Sequence, residues 1–191
     1  KLAIPLHIPI FSVALGRLNF LAELSPESLY PQLKTILDGK GWFDHRALIH
    51  ITVLRQGQLF KEFLALNEMV VSRGDISRIV TVDVLIDSIP LTTYYADGVL
   101  IATATGSTAY ALSAGGPIVD PRSRAMVLVP IAAHLTAVPS MVLHEDTVIT
   151  LDIRKCQHAI LAVDGRENLE LFEEDEVQVH RSKAVCTFAR V

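Results

Sequence analysis

The sequence predicts an α+β, mostly β protein. A strand-and-helix fragment over residues 1–42, the end of an α/β domain, leads into a β-rich domain over residues 43–191. Three observations carry this. One clear helix start, Ser25-Pro26-Glu27, lies near the beginning of the chain. From about residue 45 the apolar residues come in short β-type runs punctuated by Gly, Asp, Pro and Asn. Half of the 191 residues are hydrophobic and a fifth are charged, which is the composition of a folded chain with a sizeable core.

Taken in order, residues 8–15 (IPIFSVAL) read as a short buried strand, apolar and β-branched. Ser25 then caps a helix with Pro26 at its first position and Glu27 in its first turn. Leu29, Leu33, Ile36 and Leu37 keep helical spacing, and Gly39 ends it. Strand then helix is an α/β fragment. The β-type runs that follow are RALIHITVLR, KEFLALNEMVVSR, RIVTVDVLIDS, GVLIATA, AMVLVPI, TVITLDIR, HAILAVDG and EVQVHR. Val82, Val84 and Ile86 alternate with Asp83, Leu85 and Asp87, which makes one face of that strand wetter. Many short strands with turns between them predict a sandwich or a curled sheet.

Charge and motif content narrow the function. Lys and Arg number 17 against 21 Asp and Glu, a net charge of −4, so the basic face of a general nucleic-acid binder is not expected. An anionic ligand remains open, because backbone N–H groups can hold one without Lys or Arg. Cys156 and Cys186 lie far apart in no CxxC pair, which favours a reducing cytoplasm over a disulfide framework. The longest apolar stretch, residues 125–139, is broken by Pro130 and His134 and is too short for a membrane span. Residues 1–13 lack a signal-peptide cleavage pattern. The chain starts at Lys1 rather than Met, so the expectation is either that the protein was trimmed or that an N-terminal part is missing. The seven histidines show no HxH or HExxH spacing, and no zinc site is read from them. His144-Glu145-Asp146 reads as a solvated turn and residues 171–177 (LFEEDEV) as a solvated acidic loop.

The most informative stretch is TATGSTAYALSAGGP, residues 103–117. Val99 to Ala102 form an apolar run, hence a strand. Thr105-Gly106-Ser107 turn sharply, residues 108–114 suit a short helix, and Gly115-Gly116-Pro117 stop it. The first N–H groups of such a helix lack partners inside it and can face an anion or a polar ligand edge. Thr105, Ser107 and Thr108 add hydroxyls, and the Tyr110 ring can wall off a planar ligand. The lysine of a GxxxxGKS/T loop is missing, as are the GxGxxG and GxSxG spacings. A capped turn without any ligand fits the same residues, and both readings stand on the physics alone. Three smaller features accompany it. Asp97-Gly98 is a turn signal just before the strand. Asn67-Glu68, inside an apolar run, needs hydrogen bonds, a bulge or a strand end. Asp164-Gly165 repeats the strand-then-turn pattern after ILAV.

Together, Asn67-Glu68, Asp97-Gly98, TGSTAY at 105–110 and Ser113 through Pro117 resemble the NAD kinase family, most specifically over DGVLIATATGSTAYALSAGGPIV. The resemblance implies transfer of a phosphoryl group from ATP, or polyphosphate in some members, to the 2′-hydroxyl of the adenosine ribose of NAD, with Mg²⁺ or another divalent metal. It implies an N-terminal α/β domain and a C-terminal β-sandwich-like domain that binds NAD. It implies that the last residues pack back on the N-terminal domain. It also implies a homodimer or homotetramer, which the cysteine usage would place in the cytoplasm. By position, Asn67 and Glu68 would contact ribose, and Asp97 would sit near the nicotinamide side. Thr108, Ala109, Tyr110 and Ser113 would line the dinucleotide pocket. Arg78, Tyr95, Thr105, Gly106, Ser107, Asp164 and Arg166 are further candidates.

The departures from the family pattern are as specific as the matches. The GGDG motif, whose Asp is the family's proposed base, is not among these residues and is expected upstream of Lys1. The family's NxGxLGFL is replaced at Ala14 and Asn19. Tyr95 and Val138 stand where arginines are usual, Ala104 where proline is, and Arg166 where glutamine is. Losing two guanidinium groups removes charge that could face phosphate, which keeps open a non-catalytic NAD-binding relative. A lipid kinase of the related diacylglycerol kinase superfamily is a further alternative, against which the TGSTAYALSAGGP wording speaks.

Overall fold

A computed structural model of the chain describes residues 2–15, 21–22, 24–74, 79–134, 138–154 and 158–191. The chain divides into two units, residues 1–46 with 184–191, and residues 47–183. The mostly β class expected from the sequence is observed.

In the first unit the helix α1 is Leu29–Leu37, three residues later than the Ser25 cap suggests. Ser25 and Ser28 instead close a turn ahead of it: the Ser28 hydroxyl donates to Ser25 O at 3.0 Å and accepts from Ser25 N–H at 3.0 Å. Gly39, at φ 74°, ends the helix as read from the sequence. The strand expected over 8–15 reduces to two single bridges, Ile10 to Phe188 and Val13 to Leu24. Pro9 has no N–H to extend a ladder there. Arg190 is buried and donates to Asp44 Oδ2 at 3.1 Å and to Leu21 O at 2.9 Å.

The second unit is a sandwich of two antiparallel sheets. Its strands are β1 (Trp42–Arg55), β2 (Gln58–Ala65), β3 (Glu68–Arg73), β4 (Val80–Ile86), β5 (Ile89–Ala96), β6 (Gly98–Thr103), β7 (Met126–Ile131), β8 (Met141–Leu143), β9 (Ile149–Arg154), β10 (Ala159–Val163), β11 (Glu167–Leu171) and β12 (Glu176–Arg190). β1 and β12 contribute residues to both units. One sheet runs β2-β1-β12-β9-β4-β5 and the other β11-β10-β3-β6-β7-β8. Strand alternation explains the packing. Val82, Val84, Leu151, Ile153 and Val179 of the first sheet meet Met69, Val71, Ile101, Leu128 and Leu161 of the second in one buried core. Burying such a side chain contributes roughly 1.5–3 kcal/mol each. Asp83 points away from that core, as its alternation with Val82 and Val84 predicts.

The other face of the second sheet carries a smaller apolar cluster of Val70, Leu100, Ala102, Val127 and Val129, joined by Ala111. Ala111 belongs to α2 (Tyr110–Ser113), which follows a 3₁₀ turn at Gly106–Thr108. The helix expected over 108–114 is therefore a single turn. It sits where the register aligns the start of β3, the end of β6 and the end of β10: Glu68 opposes Ala102, and Met69 opposes Val163.

Two expectations fail for tertiary reasons. The run over 61–73 is not one strand but two, with a corner at Leu66–Asn67 between β2 in one sheet and β3 in the other. The acidic run at 171–177 is not simply a solvated loop. Asp175 is buried and accepts from Arg55 Nη2 at 2.7 Å, Arg55 Nε at 2.9 Å and the Phe172 N–H at 2.9 Å. The Arg55 guanidinium also lies over the Phe60 and Phe172 rings at 4.1 and 4.9 Å.

Candidate functional site

Strand ends and one loop build the site. β6 is buried throughout and delivers Thr103, which is itself buried, at its end. The chain then turns tightly because Gly106 lies against the Asn67 backbone. A Cβ at Gly106 would meet Asn67 O at 2.0 Å, so only glycine lets the two segments touch. Within the loop, the Gly106 N–H donates to Thr103 Oγ1 at 3.0 Å and the Ala109 N–H to Gly106 O at 2.9 Å. The Ser107 hydroxyl donates to Ala104 O at 2.7 Å and accepts from the Val119 N–H at 3.0 Å. The Thr108 hydroxyl donates to Thr105 O at 3.3 Å.

The anion cradle expected from these N–H and hydroxyl groups is thus largely engaged in holding the loop's own shape. The four-residue α2 adds no long dipole to replace it. What the loop presents outward is an aromatic ring with small and apolar side chains and one exposed hydroxyl residue, Ser113. Ala109, Tyr110 and Ser113 are exposed, and Thr108 is half-buried.

Asn67 ends the corner and Glu68 opens β3 on the same sheet face as α2. Glu68 Oε2 is buried and has no hydrogen-bond partner among the described residues. Burial, reinforced by the negative charge of Asp164, pushes the Glu68 carboxyl up to about 7, while the backbone N–H of Tyr110 works in the opposite direction. A carboxyl that titrates near neutrality, with one oxygen lacking a donor, is suited to accept a hydrogen bond from a ligand hydroxyl.

Asp164 lies in the turn between β10 and β11, at φ 48°, followed by Gly165 at φ 62°. The turn expected from Asp-Gly is there, and its carboxylate faces the corner. It accepts from the N–H groups of Leu66 at 3.0 Å, Asn67 at 2.8 Å and Glu68 at 3.3 Å.

Asn67, Glu68, Asp164 and residues 105–113 therefore come together, and Arg166 is exposed in the same turn as Asp164. Tyr95 and Asp97 do not join them. Asp97 precedes β6, and the five steps from Gly98 to Thr103 separate the two ends by about 17 Å. There Asp97 Oδ1 pairs with Arg73 Nη1 at 3.2 Å, and Tyr95 O accepts from the His134 N–H at 2.8 Å. Arg78 lies outside the described residues, as do Asn19 and Cys156. Sequence reasoning missed Thr103 and Arg73. Thr103 stood inside the quoted stretch but read as strand, and Arg73 carried no signal until the fold set it beside Asp97.

Comparison with known proteins bears on this geometry. A model of the ATP-NAD kinase C-terminal domain matches residues 66–191. An NAD kinase of Chloroflexus aggregans is 62% identical over 191 residues, which is 100% of this chain and 69% of that protein. The chain belongs to the NAD kinase family. Two solved structures share its fold. Yeast NADH kinase, complexed with NADH, superposes with a TM-score of 0.91 at 28% identity, over 96% of this chain and 55% of that one. An NAD kinase from Archaeoglobus fulgidus, in complex with ATP, does so with a TM-score of 0.79 at 27% identity, over 94% and 68%. The matched family model begins at Leu66, so it takes in the corner, the loop and the Asp164 turn.

Proposed function

We propose that the protein to which this chain belongs is an NAD kinase, transferring a phosphoryl group from ATP or polyphosphate to the 2′-hydroxyl of the adenosine ribose of NAD to make NADP. The observation that carries this is the Glu68 carboxyl, whose buried Oε2 lacks a donor beside Asn67 and the exposed Tyr110. The likeness to NAD kinases supports NAD as the substrate. Asn67 and Glu68 receive ribose hydroxyls, and Thr108, Ala109, Tyr110 and Ser113 wall the dinucleotide. Asp97, at the far end of β6, serves the nicotinamide side. Such a site orients NAD and leaves the transfer to groups outside it, in keeping with a reaction that relies on positioning and charge neutralisation.

Mg²⁺ belongs to the proposal through the phosphate donor. No group of three His, Cys, Asp or Glu side chains among the described residues could hold a metal ion. The described residues therefore do not fit a protein-held metal. A cytoplasmic homodimer or homotetramer is part of the same reading. No helix of the described residues is long and apolar enough to cross a membrane.

The test is NADP formation by the full-length gene product with NAD, Mg²⁺ and ATP, then polyphosphate in place of ATP. Product with either donor supports the proposal. NAD binding without product from any donor would favour the non-catalytic relative instead. That second reading draws on Tyr95, which is exposed, and Val138, which packs on the core, where the family pattern has arginines.

A further inference from the structure

We propose that Asp164 and Thr103 are positioning residues that hold the Asn67–Glu68 corner from behind, so that ligand recognition depends on two side chains that need not touch the ligand. This rests on the NAD-binding reading of the site.

The corner has a hydrogen-bonding problem. β2 stops at Ala65 and β3 starts at Glu68, so no regular ladder serves the N–H groups of Leu66 and Asn67 or their carbonyls. Asp164 and Thr103 meet that need between them. Asp164 Oδ2 takes the Leu66 N–H, and Oδ1 takes those of Asn67 and Glu68. Its own N–H donates to Glu68 O at 3.0 Å. The Thr103 N–H donates to Asn67 O at 2.8 Å, and its hydroxyl donates to Leu66 O at 2.6 Å while accepting from the Gly106 N–H. The polar backbone groups of three consecutive residues thus end on two side chains and two backbone amides.

Each part of this clamp is specified by its chemistry. Only an ionised carboxylate offers several acceptor sites to three donors from one residue, and such bonds are charge-assisted. The left-handed backbone at Asp164 is one that Asp tolerates, and its carboxylate faces the N–H groups of the corner. Thr103 links the corner to the Gly106 turn, so Glu68 and Tyr110 are carried by one hydrogen-bonded body. The charge that holds the corner also sits beside Glu68. Among the described residues, the Asp164 carboxylate and the Tyr110 N–H are the groups that act on the Glu68 carboxyl. Asp164 therefore also tunes when Glu68 ionises.

The experiment uses the full-length protein and its Asp164→Asn, Thr103→Val and Thr103→Ser variants. Hydrogen exchange of residues 64–70 is followed in the free protein, and the NAD dissociation constant is measured from pH 6 to 9. Asp164→Asn and Thr103→Val are expected to exchange at least about tenfold faster at 66–68 and to bind NAD about tenfold more weakly at pH 9. Thr103→Ser keeps its hydroxyl and stays near wild type in both. The pH midpoint of binding moves down in Asp164→Asn, which has lost the neighbouring charge, and stays put in Thr103→Val.

Unchanged exchange in both variants overturns the clamp. Faster exchange with NAD affinity at pH 9 within twofold of wild type overturns the positioning role. An equal midpoint in the two variants overturns the tuning. Wild-type protein that does not bind NAD overturns the functional reading, and the positioning role with it, while the exchange data still decide the clamp.

Discussion

Glu68→Gln should make the protein more stable at alkaline pH and not at acid pH. The Glu68 carboxyl, at 4.5 in an unstructured chain, is pushed up to about 7 by burial and by Asp164. The folded value lies above the unfolded one, so the sign is fixed. Below pH 4.5 the group is protonated in both states and costs nothing. Between 4.5 and 7 the unfolded chain has lost its proton while the folded one keeps it, and stability falls as pH rises. Above 7 the cost is complete. At 1.36 kcal/mol for each pH unit between the two values, it reaches roughly 3 kcal/mol as an upper figure. Glutamine cannot ionise and escapes this cost. Guanidinium denaturation of wild type and variant at pH 5 and pH 8.5 reads the difference, in which the other titrating groups cancel. The variant should gain about 2–3 kcal/mol relative to wild type between those two pH values. A difference that stays flat with pH would refute the argument that Glu68 is desolvated beside a negative charge. The same variant should lose NAD affinity, which would mark Glu68 as a group held at a cost in stability for its function.

Gly106→Ala should abolish NAD binding and destabilise by about 1–3 kcal/mol, because its Cβ would meet Asn67 O at 2.0 Å; calorimetry of NAD binding alongside thermal melting reads both effects. Arg55→Ala should cost roughly 3 kcal/mol, since it strands buried Asp175 and removes the cation between Phe60 and Phe172. A loss of less than about 1 kcal/mol in the free energy of unfolding, read by denaturant titration, would show that water serves Asp175 as well. Tyr110→Ala should weaken NAD binding by roughly 1–3 kcal/mol with little change in melting temperature, because the ring is exposed. An unchanged dissociation constant would remove Tyr110 from the site.

Much of the fold was legible because its cues are local. The alternation in Val82-Asp83-Val84 is a property of one strand, and it placed valines inward and the aspartate outward. Gly39 ended its helix and Asp164-Gly165 made its turn for reasons carried by a few adjacent residues. The loop at 103–117 was legible as strand, turn and short helix on the same grounds. Less legible was whatever a distant segment decides. Asp175 stood in an acidic run that reads as solvated, and it is buried because Arg55, 120 residues away, neutralises it. Asn67-Glu68 read as a polar pair inside one strand, and became a corner because the chain there passes from one sheet to the other.

The sequence by itself determined the class of fold, the shape of the loop and, through the wording of that loop, the family. Composition and short-range periodicity suffice for the first two, since each strand and turn obeys its own neighbours. Only the tertiary structure decided which polar groups around the loop are already engaged. The loop's hydroxyls and N–H groups, which alone look ready for an anion, are taken up in keeping its shape. The open hydrogen-bonding capacity lies instead on Glu68, held against it by an aspartate 96 residues away. No local pattern encodes that meeting, because it depends on the register of β3, β6 and β10 in one sheet.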